Sequence, residues 1–358
     1  MEHRVDAWLL LAVIGILGAS LATLRSVAPV IGTGLVLRQL LWGAVGLLVM
    51  WVVSAVRIDV LDRLAPLVYG LGLAALVAVL VVGDVRGGTR GWFAIGPFTF
   101  QPSEFARLGT ILVVAAWLAR RPRQRLGPWE VAQLLTLVAA PAALVLIQPD
   151  LGVTLTYLPV VVAGLWLGGL PARAWVVIGV LGVLGAGVAW TTVLKPYQKE
   201  RVLTILDPER DPWGAGYQVR QSKIAVGSGG VSGQGLGHGS QSQLRFLPAQ
   251  HTDFVFAVWA EATGFLGSAA LLFAYGLLLW RLGVTATVVD SRFGTCATVL
   301  VLAWFAFQLT INLGMVMAWL PTTGITLPLF SYGGSSLLTT FLGLGVVQSV
   351  WRHRLVNQ

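Results

Sequence analysis

An acidic residue stands where the chain's one long polar segment meets an apolar run: Gln250-His251-Thr252-Asp253 ends the polar part and Phe254 begins the apolar part. A base acting on a lipid-borne substrate needs this position, with its carboxylate at a water–membrane boundary. A helix N-terminus favours the ionised form, which keeps a base available near neutral pH but lowers its basicity. Capping the following helix is the competing role for Asp253. Glu261 lies two helical turns further on the same side.

Other ionisable and polar residues sit at or inside apolar runs. Glu104 and Arg107 are three apart, share one helix face and can pair; ionisable groups at membrane depth mark a pathway or site, or fix helix packing as a buried pair. Gln101-Pro102-Ser103-Glu104 also reads as a helix start, with proline and an acid in the first turn. Asp150, in Gln148-Pro149-Asp150-Leu151-Gly152, starts a helix, where an N-cap is the plain reading. Gln308 and Asn312, four apart, lie on one face, and hydrogen bonding between helices explains them without any chemistry.

These residues need a scaffold, and composition says which kind. The 358 residues are 56% hydrophobic and 11% charged, with mean hydropathy +0.80. A water-soluble fold has more polar surface than that. Apolar windows long enough to cross a bilayer recur at roughly 7–24, 38–56, 64–82, 103–119, 130–147, 151–168, 172–193, 253–280, 294–319 and 335–351. The expected fold is an all-α integral membrane protein of about ten transmembrane helices, forming a single polytopic domain over 1–358. Strands are not expected, because alternating polarity is absent.

Arginine placement orients the bundle. Arg4, Arg57, Arg63, Arg120, Arg121, Arg123, Arg125, Arg173, Arg281, Arg292, Arg352 and Arg354 fall on one side, and only Arg25, Arg38, Arg86 and Arg90 in the short loops opposite. Both termini are then cytoplasmic, and the large loop 194–252, between helices seven and eight, is extracytoplasmic. The net charge of +9 is a topology signal and an attraction to anionic membrane lipids, not a mark of nucleic-acid binding. Cys296, the only cysteine, excludes intramolecular disulfides and thiolate metal sites and reads as a packing residue.

The large loop is cationic, with Lys195, Lys199, Arg201, Arg210, Arg220, Lys223 and Arg245, which suits a diphosphate or anionic lipid head. Its glycine series from Gly227 to Gly239 could bring backbone amides to an anion. With no phosphate-loop frame beside it, a flexible loop is the reading its spacing favours.

Ordered motifs along nearly the whole chain resemble the SEDS family (shape, elongation, division and sporulation), the bacterial cell-wall glycan polymerases. They are Arg90-Gly91-Trp92, Gln101 to Glu104, Gln148 to Gly152, Asp211-Pro212-Trp213-Gly214-Ala215-Gly216-Tyr217, Gln221 to Gly230, His251-Thr252-Asp253-Phe254, Asn312-Leu313-Gly314-Met315-Val316, Leu320 to Gly324, and Ser331-Tyr332-Gly333-Gly334-Ser335-Ser336. Gly239 to Ser242 and Gly314-Met315-Val316 resemble the elongation branch, RodA, more than the division branch, FtsW. Departures from the family pattern are Arg107 and Gln234, where lysine is usual, and Ala249 and Ala262, where glutamate is.

The resemblance implies a peptidoglycan glycosyltransferase in the bacterial cytoplasmic membrane. It would polymerise lipid II outside that membrane, extending a nascent glycan strand beside a class B penicillin-binding protein. Asp253 matches the family's essential acid and would be the catalytic base, supported by Glu104, Arg107, Asp150, Arg201, Lys223, His251, Thr252, Glu261, Asn312, Ser331 and Ser335. Inverting displacement of undecaprenyl diphosphate needs one base, since that leaving group departs without a protonating acid. Its charge would meet loop cations, Arg107 or a divalent ion, Mg or Mn. A lipid II flippase and a non-catalytic scaffold are the alternatives. A flippase needs polar residues in the inner half of the bundle, and few are found there.

Overall fold

The computed structural model describes residues 5–86, 88–96, 98–121, 125–192, 194–207 and 214–354. Arg4, Arg123, Arg210 and the Asp211-Pro212-Trp213 part of one motif lie outside them. The described helices run α1 (Ala7–Ile31), α2 (Gly34–Ala55), α3 (Ile58–Val82), α4 (Pro102–Ala119), α5 (Pro128–Ile147), α6 (Leu151–Leu155), α7 (Leu158–Leu167), α8 (Ala172–Thr192), α9 (Pro196–Leu206), α10 (Ala215–Ser228), α11 (Ser240–Gln243), α12 (Val255–Val288), α13 (Arg292–Val316) and α14 (Gly334–Arg352).

Among the described residues, eight helices are long and apolar enough to cross a membrane: α1 to α5, α8, α12 and α13. The expected spans 151–168 and 335–351 differ from these. The first is broken into α6 and α7 at Thr156 and Tyr157. The second forms α14, whose Ser335, Thr339, Thr340, Gln348 and Ser349 are buried inside the bundle, so it lacks the apolar surface of a lipid-facing helix.

α4 lies at the centre, with 83% of its apolar window buried. Small residues let its neighbours close in: a Cβ on Gly72 of α3 would stand 2.9 Å from Ala106 Cα. Gly46 of α2 faces the Phe341 ring, and Gly345 of α14 faces Val53 and the Met50 carbonyl. Packing without a hydrophobic drive from water relies on such close approach.

The expectation of no strands is corrected. β1 (Asp84–Arg86), β2 (Thr89–Ile95) and β3 (Phe98–Phe100) form an antiparallel sheet between α3 and α4. Its strands are short and neither face is uniformly polar, so no alternation marks them. Aromatic and β-branched residues favour the extended chain, and Gly88 (φ +83°) and Gly96 (φ +59°) make the turns.

The glycine series is also not a loose loop. Gly264 interrupts α12 at φ 65°, ψ −159°, and residues 230–235 pair with the break. Gln234 and Gly235 donate N–H to the Glu261 and Ala262 carbonyls, while Phe265 and Leu266 donate to Gly230 and Val231. The backbones meet so closely that a Cβ on Gly233 would lie 2.2 Å from the Ala262 carbonyl oxygen.

The helix ends carry ion pairs on the face opposite α9 to α11. Arg120 pairs with Asp62 at 3.0 Å and Arg281 with Asp6 at 2.8 Å. Asp6 also caps α1 through the Trp8 and Leu9 amides.

Candidate active site

At the α9–α11 end of the bundle a cavity of about 700 Å³ opens between α2, the sheet, α4, α6, the turn before α12, α13 and the start of α14. Asp253, Glu104, Arg107, Asp150, His251, Thr252 and Ser335 all line it. The remaining expected site residues do not.

Asp253 does not cap α12. Phe254 is the N-cap residue, without a side-chain cap bond, and the Asp253 carboxylate faces the cavity beside Gly324 instead. Burial raises its pKa above the usual carboxylate value; its bond with Thr252 and the charge of Arg201 pull it down, and Asp150 pushes it up. The direction is opposite to that expected from a helix N-terminus, because desolvation outweighs the dipole. The carboxylate is therefore a stronger base than a solvated one. His251, 5.9 Å from the Tyr332 ring, is held below the ordinary imidazole pKa by burial and is neutral near pH 7.

Glu104 and Arg107 form the ion pair that their spacing implies, and both are buried. Arg107 also donates to Thr156 Oγ1 at 2.9 Å and lies over the Trp304 ring at 4.4 Å. This environment suits arginine: a planar guanidinium stacks and bonds along two edges, as an ammonium does not. Asp150 caps α6 through the Val153 amide at 3.0 Å and lines the cavity as well. Burial, first of all, raises its pKa, with Glu104 adding to the rise and the Val153 amide and Arg107 opposing it.

The motifs converge on the segment from Thr322 to Gly324. Gly152 lies against the Thr323 carbonyl, where a Cβ would come within 2.1 Å. Arg201 of α9 donates to the Thr322 carbonyl at 3.2 Å. Gly91 of β2 sits over the Gln148 side chain, bringing Trp92 to the cavity wall. Ser335 takes the Gln101 amide at 3.0 Å and donates to the Thr99 carbonyl, tying α14 to the sheet and α4.

Asn312 and Ser331 stand behind the wall, bonded to backbone carbonyls. Glu261 is fully buried away from the cavity, where it accepts the Gln241 and Ser242 amides at 2.7 and 3.1 Å and caps α11. Lys223 is exposed on α10. Among the described residues, no cation of the large loop lines the cavity. The cavity's cations among the described residues are Arg107 and Arg38, and the sequence alone marks Arg38 only as a topology residue. Its spacing of four from Trp42 in an apolar span, the same pattern as Gln308 and Asn312, was the signal available; Arg38, Trp42 and Gln308 all line the cavity.

Comparison with known proteins gives a consistent family. The model of FtsW, RodA and SpoVE cell cycle proteins matches residues 3–355. The Escherichia coli (strain K12) peptidoglycan glycosyltransferase MrdB is 40% identical over 328 residues, 90% of this chain and 86% of its own. A chain from a solved peptidoglycan synthase complex, described as coordinating polymerization and crosslinking, superposes with TM-score 0.85 at 37% identity, over 98% of this chain and 99% of that one. The crystal structure of the Thermus thermophilus rod shape determining protein RodA does so with TM-score 0.74 at 34% identity, over 98% of each chain.

Proposed function

Because the chain belongs to the FtsW, RodA and SpoVE family of cell cycle proteins, it is a multi-pass membrane peptidoglycan glycosyltransferase, and we propose that it polymerises lipid II during cell elongation with Asp253 as the base. The membrane is the bacterial cytoplasmic membrane, with both termini inside and the cavity open to the outside. The arginine asymmetry supports this orientation.

One observation carries the reading. The Asp253 carboxylate lines a cavity large enough for sugar units, free of helix capping and made more basic by desolvation. In the proposed step Asp253 takes the proton of the acceptor sugar hydroxyl. The oxygen attacks the anomeric carbon of the donor from the face opposite its phosphate, and the carbon–oxygen bond to the diphosphate breaks with its electron pair on the leaving undecaprenyl diphosphate. The anomeric centre inverts. Arg107 and Arg38 are the lining cations able to meet the leaving-group charge.

A divalent cation, Mg or Mn, fits only a site poor in protein ligands. Among the described residues no three His, Cys, Asp or Glu side chains cluster to hold such an ion; Asp150 would be its protein ligand, with substrate and water oxygens supplying the rest, which leaves the Asp253 carboxylate to act as the base. When bound it would neutralise diphosphate charge. The proposed partner is a class B penicillin-binding protein that crosslinks the strand, in keeping with the polymerization and crosslinking complex to which the chain is similar.

Translocation of the same lipid is disfavoured by the walls below the cavity. Past Arg107, α4 continues with buried Leu108, Ile111, Leu112, Val113, Val114, Ala115, Ala116 and Leu118, and its one buried polar side chain there, Thr110, is tied to the Ala106 carbonyl, so this helix lends no free polar group to an inward path. Purified protein in liposomes with labelled lipid II separates the two. Glycan chains without transfer of label between leaflets are expected; transfer without chains would replace the polymerase reading by a flippase.

A further inference from the structure

Three successive carbonyls lead up to the Asp253 side chain, and each is held from outside its own segment. The His251 carbonyl takes the Tyr332 amide at 2.9 Å. The Thr252 carbonyl takes the Ser331 hydroxyl at 2.7 Å, and the Asp253 carbonyl takes the Asn312 side-chain amide at 3.0 Å. None serves α12, whose first turn bonds Ala257 and Val258 back to Phe254.

We propose that Asn312 and Ser331 are positioning residues that hold the Asp253 backbone by its carbonyls and so aim the carboxylate at the reacting hydroxyl. The proposal rests on Asp253 being the base. Asn312 Nδ2 also donates to the Ile325 carbonyl at 2.9 Å, so both its hydrogens are used. Its Oδ1 is buried without a partner, a cost that leucine, of similar size, would avoid if the position only packed α13. Ser331 accepts the Leu327 amide at 2.8 Å while donating to Thr252, which locks its hydroxyl. Ile325, Leu327, Ser331 and Tyr332 all belong to the segment that begins at Gly324, whose Cβ position lies 3.8 Å from Asp253 Oδ2. One piece of chain thus grips the backbone behind the carboxylate and borders the carboxylate itself.

The test is initial-rate polymerisation of labelled lipid II by the full-length protein in proteoliposomes, with thermal denaturation in parallel. Asn312→Ala and Ser331→Ala are expected to lower kcat about tenfold to 100-fold with KM within about threefold, because misplacing a reacting group costs rate and not substrate binding. Ser331→Thr, which keeps the hydroxyl, should recover most of the rate. If Asn312→Ala does not accumulate, the serine pair decides alone. Parent kcat in the alanine variants, or rate lost only in proportion to folded protein, overturns the proposal. Asp253→Asn measured beside them keeps the two ideas apart: parent activity there removes the base and the clamp with it, whereas an inactive Asp253→Asn with unaffected Asn312→Ala and Ser331→Ala removes the clamp alone.

Discussion

The Arg107 guanidinium lies 4.4 Å over the ring of Trp304 while its edges bond Glu104 and Thr156. Stacking, ion pair and hydrogen bond together fix one orientation of a buried charge. A lysine would keep the charge and lose the planar stack.

Removing one partner of this pair leaves the other charge buried and uncompensated. Glu104→Gln or Arg107→Gln alone should cost about 3–5 kcal/mol of stability, and the double variant less than the sum. Thermal unfolding of the four proteins gives the coupling energy. Additive losses would mean that the pair contributes nothing as a pair.

The break in α12 makes a second prediction. Gly233 combines φ +80° with a Cβ position 2.2 Å from the Ala262 carbonyl oxygen, whereas a Cβ on Gly227 meets nothing within 4 Å. Gly233→Ala should destabilise by about 1–3 kcal/mol or more, and Gly227→Ala should be nearly neutral. Equal melting temperatures for the two variants would contradict the tight seam between 230–235 and α12.

Much of this was legible in the chain and some was not, for physical reasons. The Glu104–Arg107 contact is local, so a spacing of three foretold it, and the Asp150 cap needed only its own turn. Glu261 could not be read, because its partners, the Gln241 and Ser242 amides, come from a tertiary fold-back. A helix-face argument put it beside Asp253, but it points to α11. The glycine series failed for a related reason: glycine is as frequent where backbones touch as where a chain is loose, and only the Gly264 break distinguishes the cases. Asp253 itself was found by position, yet the direction of its pKa shift needed the burial that only the assembled cavity supplies.

That burial has a pH consequence. A base acts ionised, and its raised pKa places the acid limb of the rate profile above the ordinary aspartate range of about 4. Asp150 contributes to the rise by like charge. Asp150→Asn keeps an N-cap of equal quality and removes that charge, so the acid limb should move to lower pH. Removing the opposing charge with Arg201→Gln should move it to higher pH. Profiles of kcat/KM for the parent and both variants check the signs, and shifts in the same direction would exclude this electrostatic account.

Orientation is tested by labelling. Ser240 and Thr287 are exposed at opposite ends of the bundle, and the buried Cys296 is first replaced by alanine. A cysteine at position 240 should react with an impermeant reagent added outside intact cells, and one at position 287 only after lysis. The reverse pattern would put the cavity on the wrong side for an external polymer.

The decisive variant is Asp253→Asn. It preserves size, and since Asp253 makes no cap bond to α12, the change removes no support from that helix. A role confined to capping α12 therefore predicts near-parent activity, while general-base catalysis is typically worth about 10²–10⁴-fold in rate. The expected result is glycan synthesis reduced by that factor, with membrane abundance, melting temperature and lipid II binding close to the parent's. Loss of activity accompanied by loss of folded protein would point to structure instead. If the folded variant polymerises lipid II at the parent rate, the proton goes elsewhere, and Asp150, the other carboxylate on the cavity wall with a raised pKa, becomes the residue to test.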